Sequence, residues 1–430
     1  MPRSRFSWQQ TALRTAAAAG ALLIPLPPAH AQPISHPTFQ ANVVSSGSGN
    51  GNVLIQAPSP TVATAIARQY GVSILDSDAT SGAYLLTVPA GQTPDGFSLA
   101  LSHDLRLTDA EPDVPLKTPE AGGVTDGQAI HLAFDGSDAV DPWYDWIAVS
   151  DLMNRDAYYQ VDLRNSLDRT RGNGVTIAVL DTGVLSSHPN LACHLIPGYN
   201  VITPTAPPDD APDGATNAAW GHGTMVTGIV ARLAPGARLM PVRVLNGDGT
   251  GSILNIVRGI EYAITHGAQV LNLSLGSPKK SGVLQQALRK AISAGVVVVA
   301  AAGNEGEAAP HYPAAFPGVI GVASLDARDS KADFSNFGDN VSLAAPGIGI
   351  RSTYINGGYA SWSGTSFSAP FVTAAVALTI SAQPGLVGNA ITTRLLNNAR
   401  PIDLQNLAYP NLLGHGALDI AATLANGAPF

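Results

Sequence analysis

The sequence predicts an α/β fold, a doubly wound parallel sheet, with a smaller ferredoxin-like α+β domain ahead of it. Two patterns carry the prediction. From Val175 onward, uninterrupted apolar runs alternate with helical segments, and strands that are apolar on both faces need helices on both sides to cover them. Upstream, between Asn52 and Leu116, strand-like and helix-like stretches follow in the order βαββαβ, the compact ferredoxin-like arrangement.

In that upstream part Asn52 to Ala57 reads as a strand. Ser59-Pro60 then supplies an N-cap and a first-turn proline for a helix that Gly71 closes, with Val62, Ala65, Ile66 and Tyr70 on one apolar face. Short strands are expected near Val72 to Leu75 and Ala83 to Val88. Thr93-Pro94 opens a second helix carrying Phe97, Leu99, Ala100 and Leu101, and a last strand lies between Leu105 and Leu116. In the larger part, strands are expected at Val175 to Leu180, Leu239 to Leu245, Val270 to Leu275, Val296 to Ala302 and Val319 to Ala323. Helices fill the gaps near His222 to Leu233, Ser252 to His266, Gly282 to Ala294 and Ser366 to Ala382.

With 430 residues and 45% hydrophobic content, the chain can bury a large core and has room for two or three domains. Its start is distinctive. Arg3, Arg5 and Arg14 precede an apolar stretch from Ala16 to Leu26, followed by Ala29-His30-Ala31, the pattern of a secretory signal peptide over residues 1–31. The apolar run is too short to span a bilayer and contains Pro25, and no other stretch is long and apolar enough to cross one. A soluble, secreted protein is expected, extracellular or periplasmic. The single cysteine, Cys193, has no internal partner and reads as a small packing residue. Formal net charge is −8, three units more negative once the signal arginines are gone, which argues against nucleic acid and anionic membranes as partners. Pro119 to Asn154, with seven acidic residues and no Lys or Arg, reads as an exposed linker on which Trp143, Tyr144 and Trp146 are the exceptions that pack.

Three glycine-rich signatures carry the chemistry: Val179-Leu180-Asp181-Thr182-Gly183, Gly221-His222-Gly223-Thr224 and Gly364-Thr365-Ser366-Phe367-Ser368-Ala369-Pro370. A serine hydroxyl is a poor nucleophile until an imidazole takes its proton, and the imidazole needs a carboxylate to fix its tautomer. Asp181 closes the first large-domain strand, while His222 and Ser366 each open a helix, so all three are expected at the carboxyl rim of the sheet where open α/β folds place their sites. Alone, each motif is weaker. Asp-Thr-Gly also serves aspartic proteases, which need two copies where this chain has one, and Gly-His-Gly is commonly a tight turn.

The order Asp, His, Ser and the flanking residues resemble the subtilisin-like serine peptidases (subtilases), over roughly Arg171 to Ile420. The resemblance implies a subtilisin-like fold and a secreted serine endopeptidase with Asp181, His222 and Ser366 catalytic and Asn304 in the oxyanion hole. It further implies substrate-binding rims at Gly249, Thr250, Gly251 and at Ser274, Leu275, Gly276, with Ala301, Ala302 and Gly303 forming the second wall of the main specificity pocket. Those small, uncharged walls favour an apolar or aromatic side chain. His311 aligns near the pocket floor, where it either narrows the pocket or is an ordinary surface histidine. The loop Gly247 to Gly251 imitates a dinucleotide-binding turn, but the acid expected about twenty residues on is missing.

By the same resemblance, residues 32–118 form a propeptide domain that inhibits the enzyme in cis until removed, with Glu111 to Thr118 entering the cleft. The linker is residues 119–154 and the peptidase domain 155–430. The partners implied are polypeptide substrates and the protein's own propeptide; a monomer is expected. Departures from the family lie off the triad. Met225 replaces a second histidine, Asn190 stands where an aspartate is usual, and the short connection Leu233-Ala234-Pro235-Gly236 omits the loop that holds the tight calcium ion. No cofactor and no metal are assigned, although Asp209, Asp210 and Asp213 form a candidate weak calcium cluster. Two alternatives stay open: a catalytically inactive subtilase-fold binding protein, which would not react with a fluorophosphonate, and an aspartic protease using Asp181.

Overall fold

The computed structural model describes residues 51–122 and 155–425. The signal sequence, Trp143, Tyr144, Trp146 and the linker beyond Gly122 lie outside the described residues. The first described module runs β1 (Val53–Gln56), α1 (Pro60–Tyr70), β2 (Ile74–Asp78), β3 (Ala83–Leu86), α2 (Pro94–Leu101) and β4 (Asp109–Pro112). Its antiparallel sheet has the order β2-β3-β1-β4, which is the ferredoxin-like arrangement. The caps act as the sequence indicates: Ser59 Oγ accepts from Val62 N–H at 3.3 Å, Thr93 Oγ1 from Gly96 N–H at 3.1 Å, and Gly71 closes α1 in the left-handed conformation.

Period-two alternation decides what this sheet touches. Val53, Ile55, Tyr84 and Leu86 point at α1 and α2, where with Ile66, Phe97 and Leu101 they make a core of their own. Leu54, Ala83 and Leu85 point the other way, into the same apolar cluster as Ile253, Val257, Val283 and Leu284 of the larger part. The module is therefore apolar on both faces. Arg258 Nη2 adds an ion pair to Asp76 Oδ1 at 2.5 Å across that junction.

The larger part continues with β5 (Leu116–Lys117), α3 (Arg155–Gln160), α4 (Leu163–Leu167), β6 (Thr176–Asp181), β7 (Tyr199–Asn200), α5 (His222–Leu233), β8 (Arg238–Arg243), β9 (Thr250–Gly251) and α6 (Ile253–Thr265). There follow β10 (Val270–Leu273), α7 (Gly282–Ser293), β11 (Val297–Ala301), β12 (Val319–Leu325), β13 (Leu343–Pro346), β14 (Ile350–Thr353), β15 (Tyr359–Trp362), α8 (Thr365–Ala382), α9 (Asn389–Asn397) and α10 (Ile420–Ala425). Seven parallel strands form the sheet in the order β13-β12-β11-β10-β6-β8-β7. Helices α5 and α8 cover one face and α6 and α7 the other.

Helix α8 is long and apolar enough to span a membrane, contrary to the sequence expectation that no stretch beyond the signal is. Sixteen of its eighteen residues are buried, so its apolarity serves the core. Cys193, expected to pack inside, is exposed: the turn that carries it gives its core position to Leu191. Phe371 of α8 is fully buried and packs on Tyr158 with ring centroids 5.2 Å apart. Phe371→Ala, made in a Ser366→Ala background to prevent self-digestion, is expected to cost about 3–5 kcal/mol in denaturant unfolding. A loss under about 1 kcal/mol would mean that α8 is not the centre of this core.

Candidate active site

Asp181 is the last residue of β6, a strand buried along its whole length. That places its carboxylate at the carboxyl rim, where Oδ1 accepts from the Thr182 N–H and from His222 Nδ1, both at 2.7 Å. The aspartic-protease reading is dropped, since this carboxylate is committed to an imidazole. His222 heads α5. It follows Gly221 at φ 97°, where a Cβ would run into the Tyr354 ring, so only glycine fits there.

Ser366 lies in the first turn of α8, and the residue before it sets the neighbouring amide. Thr365 donates to Asn304 Oδ1 from both its N–H and its hydroxyl, each at 2.9 Å. With Oδ1 so occupied, Asn304 Nδ2 must face into the site as a donor. Asp181, His222, Ser366 and Asn304 are thus brought together from β6, α5, α8 and the loop after β11.

At their centre stands a residue that sequence reasoning assigned to the exposed linker. Glu120, in the 3-10 turn Pro119–Gly122, has Oε2 at 2.8 Å from Ser366 Oγ and 3.2 Å from His222 Nε2, while Oε1 accepts from Asn304 Nδ2 at 2.9 Å. A Cβ on Gly364 would collide with Glu120 Oε1, so that glycine makes room for whatever group fills this point. Burial alone would push the His222 imidazole below its ordinary value. The charge and hydrogen bond of Asp181, then the hydrogen bond and charge of Glu120, outweigh this and hold it up at about 10. At neutral pH the ring is an imidazolium between two carboxylates.

The two segments singled out in the sequence as rims both pair with one strand of the same chain. β9 (Thr250–Gly251) pairs antiparallel with β5, and Gly276 exchanges two bonds with Lys117, Lys117 N–H to Gly276 O at 3.0 Å and Gly276 N–H to Lys117 O at 2.7 Å. Thr118 N–H donates to Gly249 O at 2.8 Å. Residues 116–118 therefore fill the groove between Gly249-Thr250-Gly251 and Ser274-Leu275-Gly276 as an added strand. Glu111 does not enter the cleft; its carboxylate accepts from Ser281 Oγ and from Gly282 N–H at the start of α7. Burial, first of several causes, pushes it up to about 7. Ala301 and Ala302 are fully buried behind Gly303. His311 is 3% exposed, which excludes the surface-histidine reading.

Asp210 was legible only as one acid of a candidate calcium cluster. In the structure its Oδ1 accepts from Gly221 N–H at 3.1 Å, and its Oδ2 from Thr224 N–H at 3.2 Å and Thr224 Oγ1 at 2.8 Å. It clamps the start of the helix that carries His222. Asp213 is paired with Arg243 at 2.6 Å, so two of the three acids are engaged with the protein itself, while Asp209 Oδ1 is buried without a partner. Nor do the residues present fit the family's tight calcium site: α5 ends at Leu233, β8 begins at Arg238, and no carboxylate lies between. Asn190 donates instead to Tyr359 Oη at 2.5 Å. Among the described residues no group of three His, Cys, Asp or Glu side chains is placed to hold a metal ion.

The subtilase family profile, Peptidase S8, matches residues 172–416. Subtilisin BL of Lederbergia lenta is 39% identical over 260 residues, 58% of this chain and 91% of that one. Thermitase of Thermoactinomyces vulgaris is 42% identical over 224 residues, 50% and 77% of the two chains. Among solved structures, fervidolysin from Fervidobacterium pennivorans, a keratinolytic enzyme related to subtilisin, superposes with TM-score 0.68 at 24% identity, covering 89% of this chain and 62% of its own. That likeness speaks to fold. A protease from Pseudoalteromonas arctica gives TM-score 0.59 at 30% identity, covering 64% of this chain and 97% of its own.

Burial, ahead of the hydrogen bonds that oppose it, pushes the Asp210 carboxyl up to about 6. A carboxyl raised above its unfolded value of about 3.9 contributes stability that is present below that value and is lost as pH rises through about 6. The thermal cost of Asp210→Ala, measured in the Ser366→Ala background, should then be larger at pH 4.5 than at pH 7.5. A cost that grows with pH would contradict the clamp's burial.

Proposed function

This chain belongs to the subtilase family of serine endopeptidases, hydrolases that act on polypeptides, and on that premise we propose that Ser366 is its nucleophile, His222 its general base and acid, and Asp181 the orienting carboxylate. Asn304 Nδ2 and the N–H groups at the start of α8 then form the oxyanion hole. One observation carries the reading. Donors on Ser366, His222 and Asn304 converge within 2.8–3.2 Å on a single carboxylate, that of Glu120, which has the planar, oxygen-bearing shape of a carboxylic derivative.

With a substrate in place of residues 116–120, the Ser366 proton passes to His222 Nε2 as Oγ attacks the scissile carbonyl. The carbonyl oxygen takes the negative charge and is met by donors already fixed in place. Collapse of this tetrahedral species expels the amine, which takes the proton from His222, and leaves an acyl-enzyme on Ser366. Water repeats the sequence and frees Ser366. The backbone pairing of Lys117 and Thr118 is the template for how substrate lies on the rims.

The form described is the inhibited precursor of a secreted enzyme, with residues 1–31 as signal peptide and residues 32–118 as propeptide. Glu120 extends the inhibitory segment past that boundary. After Thr118 the chain bends at Pro119 into a 3-10 turn, so a side-chain carboxylate, not a main-chain carbonyl, reaches Ser366. A carboxylate has no leaving group for Ser366 to expel. Its charge also keeps His222 protonated, so the base is disabled along with the groove. The enzyme acts as a monomer and without a metal cofactor.

Three measurements follow. Ser366→Ala should abolish peptide hydrolysis with the fold intact; activity equal to the parent would remove Ser366 from the mechanism. A separately made segment of residues 52–122, which has its own apolar core, should inhibit the enzyme lacking it. The hydrogen bond and charge of Glu120 add to those of Asp181 in holding His222 up at about 10, and burial in the complex pushes Glu111 up to about 7, so association takes up protons and must weaken as pH rises. The inhibition constant should climb by up to about tenfold per pH unit between the free His222 value and pH 10. Inhibition that strengthened with pH would contradict the Glu120 contact. EDTA should leave the melting temperature nearly unchanged, whereas a large fall reversed by calcium would reveal a tight metal site.

A further inference from the structure

Between β11 and β12 the chain runs from Ala302 to Gly318 without a helix or a strand, and Asn304 sits near the start of that stretch. A loop that carries a donor for the reaction must be held in one shape, because a small misplacement of the donor costs rate. The grip comes from one side chain. Asn336, in the turn after β12, is 2% exposed. Its Oδ1 accepts from Glu305 N–H and from Glu307 N–H, each at 3.0 Å, and its Nδ2 donates to Ala302 O at 3.1 Å and to Glu305 Oε2 at 2.6 Å. Its backbone N–H donates to Gly303 O at 3.0 Å. These bonds bracket Asn304: two reach the residues just before it and three the residues just after. The two N–H donors and the two oxygen acceptors also fix which end of the amide is oxygen. Gly303 lets the side chain come this close, since at φ 103° it carries no Cβ, and one there would lie 2.3 Å from Asn336 Nδ2.

Asn336 is held in turn from below. Lys331 is buried, and its Nζ donates to Ala332 O at 2.8 Å, Asp333 O at 3.2 Å and Ser335 O at 2.9 Å. The turn that ends in Asn336 is thus wrapped around one cation, which also lies 4.9 Å from the centre of the Tyr409 ring. Ser335 Oγ accepts from Ser324 N–H at 2.8 Å and ties the turn to β12. Asn304 is therefore placed from two directions. Thr365 of α8 holds its side-chain oxygen, and Asn336 holds the backbone on either side of it.

We propose that Asn336 is a positioning residue for the reaction, fixing residues 302–307 in the shape that aims Asn304 Nδ2 at the oxygen of the scissile carbonyl. Both polar atoms of its side chain are engaged within the loop, so it acts through Asn304 and not on substrate. The inference rests on the endopeptidase reading above.

A double-mutant cycle separates this role from support of the fold. The test measures kcat and KM of the active enzyme on a peptide amide, per active site titrated with a fluorophosphonate, for the parent, Asn304→Ala, Asn336→Ala and the pair. Asn336→Ala should lower kcat by about tenfold to a hundredfold with KM changed less than about twofold. Once Asn304 is already alanine, the same change should cost less than about twofold, because no donor is left to place. A residue that only stabilises the fold would lower the melting temperature without that split. Unchanged kcat in Asn336→Ala, a loss confined to KM, or the full loss repeated in the Asn304→Ala background overturns the inference and leaves the endopeptidase reading standing. A parent that cleaves no peptide overturns both. Should Asn336→Ala not fold, Asn336→Asp keeps the size and the two acceptor bonds but sets a second carboxylate against Glu305. It should lose kcat in the same way, and Glu305→Gln added to it should recover about threefold or more. Absence of either the loss or the recovery overturns the inference.

Discussion

The hydrogen bond between His222 Nδ1 and Asp181 Oδ1, 2.7 Å long and at most 1% exposed at either end, is the contact around which the rest is arranged. A bond between buried ionisable groups survives only if both are held rigidly and water is kept away. β6 fixes one end because all its neighbours in the sheet are parallel strands. Asp210 and the absence of a side chain at Gly221 fix the other by setting where α5 begins. Trp362 and Phe367 close over the imidazole, their ring centroids 5.9 and 5.3 Å away. Each of these supports fixes the position of the His222–Asp181 pair.

Glu120 shows what such a preorganised site does to an occupant. Three donors aimed at one point attract any carboxylate that the chain can deliver, and β5 delivers one by pairing with the rims. The same fields that would stabilise a developing oxyanion stabilise a permanent charge. On the proposed function, inhibition and catalysis are one electrostatic arrangement read with two different ligands.

Much of this was legible in the sequence, and what was missed has a common cause. The strands β6, β8, β10, β11 and β12 and the helices α5 to α8 announce themselves by local apolar runs and caps. Asp181, His222, Ser366 and Asn304 were legible because each is flanked by glycines at an element's end. Glu120, by contrast, meets Ser366 across 246 residues of sequence, and nothing near Pro119 distinguishes it from the other acids of its segment. Asp210 reads as one of three loop acids, and only the position of α5 shows what it caps. The burial of His311 is not legible in the sequence, since it depends on how the loop after Asn304 folds back. Strands β7 and β13 to β15 have two to four residues each, too few for a period to show.

Whether Ser366 is an activated nucleophile that Glu120 restrains is decided most directly by the rate at which a fluorophosphonate labels it, with the modified residue mapped by mass spectrometry. Labelling should fall on Ser366, slowly in the intact chain and faster by tenfold or more in Glu120→Ala. Equal rates in the two proteins, or a label on any other serine, would contradict it.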